Sequence, residues 1–98
     1  MAQENKKQDN VVFVGNKSVR TYVEACMVQF DEKGSKEVIL KTRGKFMVTA
    51  INVAEFLKRK TEGKIAILNI KTGSESFRAK EKDRDIFVST LEITLIKT

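Results

Sequence analysis

The stretch EVILKTRGKFMVTAINVAEFL, residues 37–57, decides the fold of this chain. It opens with the apolar run VIL at residues 38–40, which is short and β-branched, as buried strands are. A glycine-centred turn follows, and beyond it the apolar residues recur at the spacing of a helix. That helical stripe consists of Phe46, Met47, Ala50, Ile51, Ala54 and Leu57. The stretch therefore predicts a buried strand, a tight turn and an amphipathic helix.

The turn between this strand and this helix is basic. Its cations, placed around Gly44, are Lys41, Arg43 and Lys45. No acidic residue occurs between Glu37 and Glu55. Free backbone N–H groups and the dipole at a helix N-terminus favour an anion, and a glycine lets that anion approach the backbone. The turn therefore predicts a surface that faces phosphate groups.

A strand and a helix are also predicted upstream of this stretch. Residues 11–14 form a short apolar run that ends at the turn pair Gly15-Asn16, and Ser18 is placed to cap the following helix. The apolar residues of that helix fall on one stripe, which consists of Val19, Tyr22, Val23, Cys26, Met27 and Phe30. This spacing predicts three helical turns that bury one face.

Two more strands are predicted after the second helix, at residues 64–72 and residues 86–97. In the first of them, one face carries Ile65 and Ile67, and the other carries Ala66, Leu68 and Ile70. The element order is then βαβαββ, and two right-handed crossovers place both helices on one face of the sheet. The predicted fold class is an α+β two-layer sandwich with a four-stranded mixed sheet.

The composition points to a basic, intracellular, single-domain protein. A chain of 98 residues has room for one domain, which we assign to residues 10–98 behind a polar, flexible tail at residues 1–9. A net charge of +6 and a pI near 9.6 favour a polyanionic partner. We find no signal peptide or membrane-spanning segment, and one cysteine suits a reducing compartment. We therefore expect a cytoplasmic protein without a membrane partner.

Several classes of chemistry lack their residues in this sequence. There is no histidine, so the usual general base and zinc ligand are missing. Cys26 lies on a helix stripe, where a small buried apolar residue is the expected role. The sequence contains no Walker-type loop, serine elbow or dinucleotide fingerprint. We therefore expect no enzyme activity, no catalytic residue, no metal, no cofactor and no small-molecule substrate.

Basic residues follow both of the first two strands. Lys17 and Arg20 lie at the start of the first helix, and the turn around Gly44 lies at the start of the second. Because the carboxyl ends of neighbouring parallel strands meet at one edge of a sheet, the two groups are predicted to be neighbours. The alternative is that each group only solvates its own loop.

A third basic site is the connection between the last two strands, where seven of the eight residues at positions 78–85 are charged. Its cations recur at every second position and are Arg78, Lys80, Lys82 and Arg84. If this arm is extended, the cations share one face and the acidic residues share the other. The alternative is a flexible turn of internally paired charges. No aromatic platform for bases is predicted, since most phenylalanines fall on the core stripes.

At these residues the chain resembles the Alba family of small archaeal chromatin proteins. Residues 10–19 (NVVFVGNKSV) resemble the family's Asn-Val-Val-x-Ile-Gly-Lys-Lys-Pro-Val, and residues 41–45 (KTRGK) resemble Lys-Ala-Arg-Gly-Arg. Residues 89–95 (STLEITL) resemble Ser-Thr-Ile-Glu-Ile. Asn16 and Ser18 depart from the pattern, because the family has lysine and proline there.

The resemblance implies a strand order of 1-2-4-3, like the C-terminal domain of translation initiation factor three. It also implies a homodimer that binds double-stranded DNA, with RNA as a further ligand, on the chromosome. The DNA-facing residues would be Lys17, Arg43, Gly44 and Lys45, with the arm along a groove, and the dimer interface would be Val48, Val53 and Phe56. An RNA-binding protein or ribonuclease P subunit of this fold stays open as an alternative. So does a protein-interaction module with an incidental basic surface.

Overall fold

Within residues 10–79 and 84–98, which the computed structural model describes, the elements follow the order βαβαββ. A π-helical turn, Val28–Glu32, continues the first helix, and a 3-10 turn, Gly44–Phe46, precedes the second. The elements are β1 Val11–Phe13, α1 Val19–Met27, β2 Glu37–Arg43, α2 Met47–Lys60, β3 Ile65–Ala79 and β4 Arg84–Lys97. The predicted tail at residues 1–9 lies outside the described residues.

The sheet has the order β1-β2-β4-β3, which confirms the predicted fold class. β1 and β2 are parallel, whereas β4 is antiparallel to both of its neighbours, β2 and β3. Residues of β2 alternate between buried and partly exposed, because one face of the sheet meets the helices and the other is open. The open face is therefore available to solvent across all four strands.

One core lies between the helices and the sheet. The sheet contributes Val12, Val38, Leu40, Leu91, Ile93 and Leu95. The first helix and its π-helical continuation contribute Tyr22, Val23, Cys26 and Phe30, as the stripe predicted. The cap is also as predicted, since the Ser18 hydroxyl accepts a hydrogen bond from the Thr21 N–H at 3.3 Å.

The buried face of α2 is rotated from the prediction. Val53 is fully buried among Ala50, Ala54 and Leu57, whereas Ile51 is 44% exposed. At 3.6 residues per turn, Val53 and Ile51 lie on opposite flanks of this stripe, so apolar spacing alone does not choose between them. Assigning Val53 to a dimer interface is therefore wrong, because its side chain is part of the core.

β3 is longer than predicted and contains a bulge. Beyond one register shift, the last two strands pair continuously in the described residues out to Ala79 and Arg84, past the predicted ends. The register shifts between Ile67 and Asn69, so Leu68 is an extra residue. Because the bulge resets the alternation, Ile70 pairs with the buried Ile93 and lies on the helix side of the sheet. The prediction that Ile70 and Ile67 lie on different faces of the sheet is therefore wrong.

Candidate nucleic-acid interface

The two basic loops that follow β1 and β2 start side by side. Phe13 is in register with Lys41, and the Val14 N–H donates to the Lys41 carbonyl at 2.8 Å. The buried Thr42 hydroxyl donates to the Val14 carbonyl at 3.0 Å. These bonds hold the parallel strand ends together at one edge of the sheet. The segment leading to Lys17 and the segment leading to Arg43 therefore leave the sheet from adjacent positions.

The loop that carries Lys17 is fixed from the core. The phenol oxygen of Tyr22 accepts the Gly15 N–H at 2.8 Å and the Lys17 N–H at 3.0 Å. Tyr22 is itself buried, so the backbone of this loop is tied to the packed face of α1. Lys17 is exposed, and its side chain forms no ion pair with the described part of the chain. The loop presents a free cation on a rigid backbone.

The loop that carries Lys45 depends on the conformation of Gly44. Gly44 has φ +65°, a left-handed conformation that costs other residues about 1–2 kcal/mol. A Cβ there would lie 3.9 Å from Val88 Cγ1, so the constraint is conformational rather than steric. The Lys45 ammonium lies 5.5 Å from the centroid of the Phe46 ring, and Phe46 immediately precedes α2. Lys45 is thus held near the start of the helix.

Acidic side chains from β4, β3 and α1 meet three of the predicted cations. Arg43 Nη1 lies 3.0 Å from Glu75 Oε1, and Lys41 Nζ lies 3.8 Å from Glu92 Oε2. Arg20 pairs with Glu24 within its own helix at 3.3 Å. All three pairs are solvent-accessible, and such pairs contribute at most about 1 kcal/mol. A phosphate can therefore replace these carboxylates at little cost.

The acidic partners of Lys41 and Arg43 were not identified from the sequence. Glu75 is 32 residues from Arg43 along the chain. Only the register of the sheet, in which Lys41 faces Glu92, brings these charges together. The alternation of β4 could have placed Glu92 on the open face, but the sequence gives no register for β3 beyond the bulge.

The two described cations of the arm, Arg78 and Arg84, do not share one face. Arg78 is in register with Asp85, and its guanidinium lies 3.8 Å from that carboxylate. Arg84 is in register with Ala79, the next pair along, so its side chain points to the other face. Arg78 and Arg84 belong to two antiparallel strands, so counting every second position along one strand does not apply. The predicted positions Lys80 and Lys82 lie outside the described residues.

Aromatic rings are exposed, contrary to the sequence-based expectation. Phe30 is buried, but Phe13 is 73% exposed on the open face of the sheet. The other exposed rings are Phe56, Phe77 and Phe87. Three of these four lie on strands and one lies on α2, where Phe56 was predicted to fall off the stripe. The chain therefore presents aromatic surface beside its cations.

An apolar surface lies beyond α2 on the helix side of the sheet. Val48 and Ile51 are exposed on α2, and Ile70 and Phe87 are exposed on β3 and β4. Ile70 is opposite the buried Ile93, and Phe87 has the same parity as Ile93 along β4, which places both on the helix side. We call these four side chains the apolar surface. Phe56 is separate from it, because it lines a groove of about 460 Å³ between the helices with Val19 and Val23.

Other kinds of site have no counterpart in the described ranges. Residues 10–79 and 84–98 contain no cluster of three potential metal ligands among histidine, cysteine and carboxylate side chains. No described helix combines the length and apolarity required to span a membrane. Burial raises the pKa of the Cys26 thiol to about 12, which makes it a poor nucleophile at neutral pH. This supports the expectation that Cys26 is a packing residue.

Comparison with known proteins identifies relatives over most of the chain. The family model described as Alba matches residues 10–74. A DNA/RNA-binding protein Alba of Methanococcus maripaludis is 39% identical over 91% of this chain and 99% of its own length. A protein of the same name from Methanocella arvoryzae is 42% identical over 90% of each chain. The structure of Alba from Thermoplasma volcanium has a TM-score of 0.78 at 32% identity, covering 90% of this chain and all of the other. The relatives from Methanococcus maripaludis and Methanocella arvoryzae are named as binding proteins rather than enzymes.

Proposed function

Because the chain belongs to the Alba family, we propose that it binds nucleic acid as a non-enzymatic homodimer and organises the chromosome by binding double-stranded DNA. The observation that carries the proposal is the convergence of the Lys17 loop and the Arg43–Lys45 turn at one edge of the sheet. The Lys17 loop is hydrogen-bonded to Tyr22 and Thr42 of the core, and Arg43 belongs to β2, so these cations need little ordering on binding.

Binding of this kind depends on phosphates more than on bases. The side chains at the sheet edge are lysine and arginine, which neutralise phosphates and release counterions. Neither α1 nor α2 presents a row of amide side chains of the kind that reads base edges. We therefore propose affinity that falls steeply with salt and varies little with duplex sequence.

The apolar surface supports the homodimer. Val48, 66% exposed, and the three other side chains of the apolar surface are exposed apolar groups that a small domain is better stabilised by covering. A two-fold interface through this patch would bury the same residues on both protomers. Of the residues predicted for the interface, Val48 is retained, whereas Phe56 lies on the other flank of α2.

Light scattering tests the dimer. The wild-type mass should be twice 11.1 kDa at micromolar concentration. Ile70→Lys should yield a monomer, because it places two lysines at the centre of the proposed interface. Val28→Lys changes an exposed apolar residue away from the apolar surface and should stay dimeric. A wild-type monomer would contradict the proposed assembly.

Titration of labelled duplexes at several salt concentrations tests DNA binding. Each phosphate contact contributes about 0.9 to the log–log salt slope, so Lys17→Ala should lower the slope of a dimer by about two. Lys36→Ala removes an equal charge from an exposed residue that precedes β2, at the opposite edge of the sheet, and serves as the control. A duplex RNA of matched sequence ranks the two nucleic acids. If Lys17→Ala leaves the salt slope unchanged, the sheet edge is not part of the binding surface.

A further inference from the structure

The open face of the sheet carries a row of side chains that crosses all four strands. Phe13 is in register with Lys41, Lys41 with Glu92, and Glu92 with Lys71. Residues in register point to the same face, and here that face is the one away from the helices. The row thus places an aromatic ring, two cations and a carboxylate side by side.

A shallow pocket is formed above part of this row. It has a volume of about 430 Å³, in the range of small-ligand sites. We call this site the open-face pocket. The residues that line it on the open face are Phe13, Lys41, Arg43, Glu75, Thr90 and Glu92. The pocket therefore combines one ring with hydrogen-bond donors and acceptors of both charges.

Phe13 is the most exposed of the large apolar side chains, at 73%. A ring in this position gains nothing from the core, since its neighbour Val12 fills the buried face of β1. Rings exposed on open sheets beside arginine and lysine are a usual platform for stacking unpaired bases. A duplex cannot use such a platform, because its bases are already stacked on each other.

We propose that the open-face pocket binds an unpaired base of a single-stranded nucleic acid, stacked on Phe13. Arg43 and Lys71 would meet the phosphates on either side of that base. Lys71 is exposed and forms no ion pair among residues 10–79 and 84–98. The proposal rests on the nucleic-acid binding proposed above and adds a second mode, on a different face from the basic loops.

The carboxylates give the pocket a preference among bases. Glu75 and Glu92 are acceptors, held in place by Arg43 at 3.0 Å and by Lys41 at 3.8 Å. Carboxylates accept from exocyclic amino groups, such as the N4 amino group of cytosine. Uracil and thymine have a carbonyl oxygen at that position and would be repelled. The pocket should therefore favour cytosine over uracil or thymine.

The pocket and the basic loops share one residue. Arg43 ends β2, so it borders the turn at Gly44 on one side and the open-face pocket on the other. The apolar surface lies on the helix side, so the proposed dimer leaves the pocket uncovered. A strand that leaves a duplex at the sheet edge could pass directly onto Phe13.

Removing the ring tests the stacking. We expect Phe13→Ala to bind labelled oligo(C) about five- to a hundredfold more weakly than wild type, the range of one lost base stack. Phe13→Tyr should retain binding, and Phe56→Ala, which removes an exposed ring from α2 on the helix side of the sheet, is the matched control. Ribose and deoxyribose strands distinguish RNA from DNA. Equal binding of oligo(C) by wild type and Phe13→Ala would overturn the proposal, and equal binding of oligo(C) and oligo(U) would overturn the role of the carboxylates.

A fluorescent ring gives an independent readout. The chain has no tryptophan, so Phe13→Trp introduces a single reporter at the pocket. Oligo(C) should quench its emission, whereas a strand of abasic sugars with the same phosphates should not. Duplex DNA is titrated in parallel with wild type. If the duplex binds but oligo(C) neither quenches nor depends on Phe13, this proposal fails alone; if wild type binds no nucleic acid, the proposed function fails.

Discussion

The basic loops at the sheet edge and the β3–β4 arm carry similar cations but are held by different forces. The Lys17 loop is held by buried groups, since Tyr22 and Thr42 bind its backbone from within the core, and the turn at Gly44 follows Thr42 at the end of β2. No described residue of positions 73–79 and 84–90 is buried, so the arm is ordered by cross-strand pairing alone. Cations on the loops are positioned by the core before a ligand arrives, whereas Arg78 and Arg84 are positioned by the pairing of two strands.

The largest expected difference between the two regions is in stability. Leu57 is fully buried, and Leu57→Ala should lower the free energy of unfolding by about 2–5 kcal/mol. Phe77→Ala removes a larger side chain from the arm, yet it should cost less than about 1 kcal/mol because only the pair with Ile86 is lost. Urea unfolding at one protein concentration measures both variants. Similar losses would mean that the arm belongs to the cooperative core.

Shortening the arm should have the next largest effect, on affinity rather than on stability. Phe77 and Ile86 are in register, so an Asn-Gly turn can join them in place of residues 78–85. We expect a folded dimer that binds duplex DNA at least about tenfold more weakly, with a shallower salt slope. A full-length control with glutamine at the four arm cations separates charge from shape. If affinity and slope are both unchanged, the arm takes no part in binding.

Removing a single cation from each region should give a smaller difference in DNA binding. Arg43→Ala should lower the salt slope of a dimer by about two, one contact for each protomer. Arg78→Ala should change it less, because no described residue at positions 73–79 and 84–90 is buried, so a phosphate contact from Arg78 requires more ordering on binding. Duplex titrations over a range of salt, with Lys36→Ala as the control, compare the two. A larger effect from Arg78→Ala would reverse the assignment of the main contacts.

The smallest change should be seen at Cys26. Its pKa is raised to about 12 by burial, so the folded protein should not react with a thiol reagent at pH 8. Because this pKa is above the unfolded value, the thiol's contribution to stability is present below about pH 9 and is lost as the pH rises toward 12. Labelling in increasing urea should follow global unfolding. If the thiol is labelled at a lower urea concentration than global unfolding requires, α1 opens separately from the rest of the domain.

The sequence predicted the parts of the fold that depend on local pattern. The stripe of α1, the cap at Ser18 and the neighbouring ends of β1 and β2 follow from spacing, and the structure has all three. Pattern did not separate Val53 from Ile51, because both are apolar and each flanks the buried arc of α2. The choice between them depends on how α2 packs on the sheet, which is a tertiary property.

The candidate site was less predictable than the fold. The pairing of Arg43 with Glu75 and the separation of Arg78 from Arg84 depend on the register of two long strands, which no local signal sets. Phe13 looked like a core residue because it lies in the apolar run of β1. Only the parity of that strand, fixed by Val12 facing Leu40, turns its ring outward.

The bulge at Leu68 gives β3 a tolerance for changes in length. In a regular strand, loss of one residue would send every following side chain to the opposite face. Here Ile67 and Asn69 already oppose consecutive residues of β4, Leu95 and Thr94. Deleting Leu68 would therefore restore a regular ladder, and Ile70, Lys71 and the arm would keep their faces. Only the local bend and extra twist would be lost. An insertion or deletion at this point can therefore change the direction of the arm relative to the sheet while its side chains keep their faces.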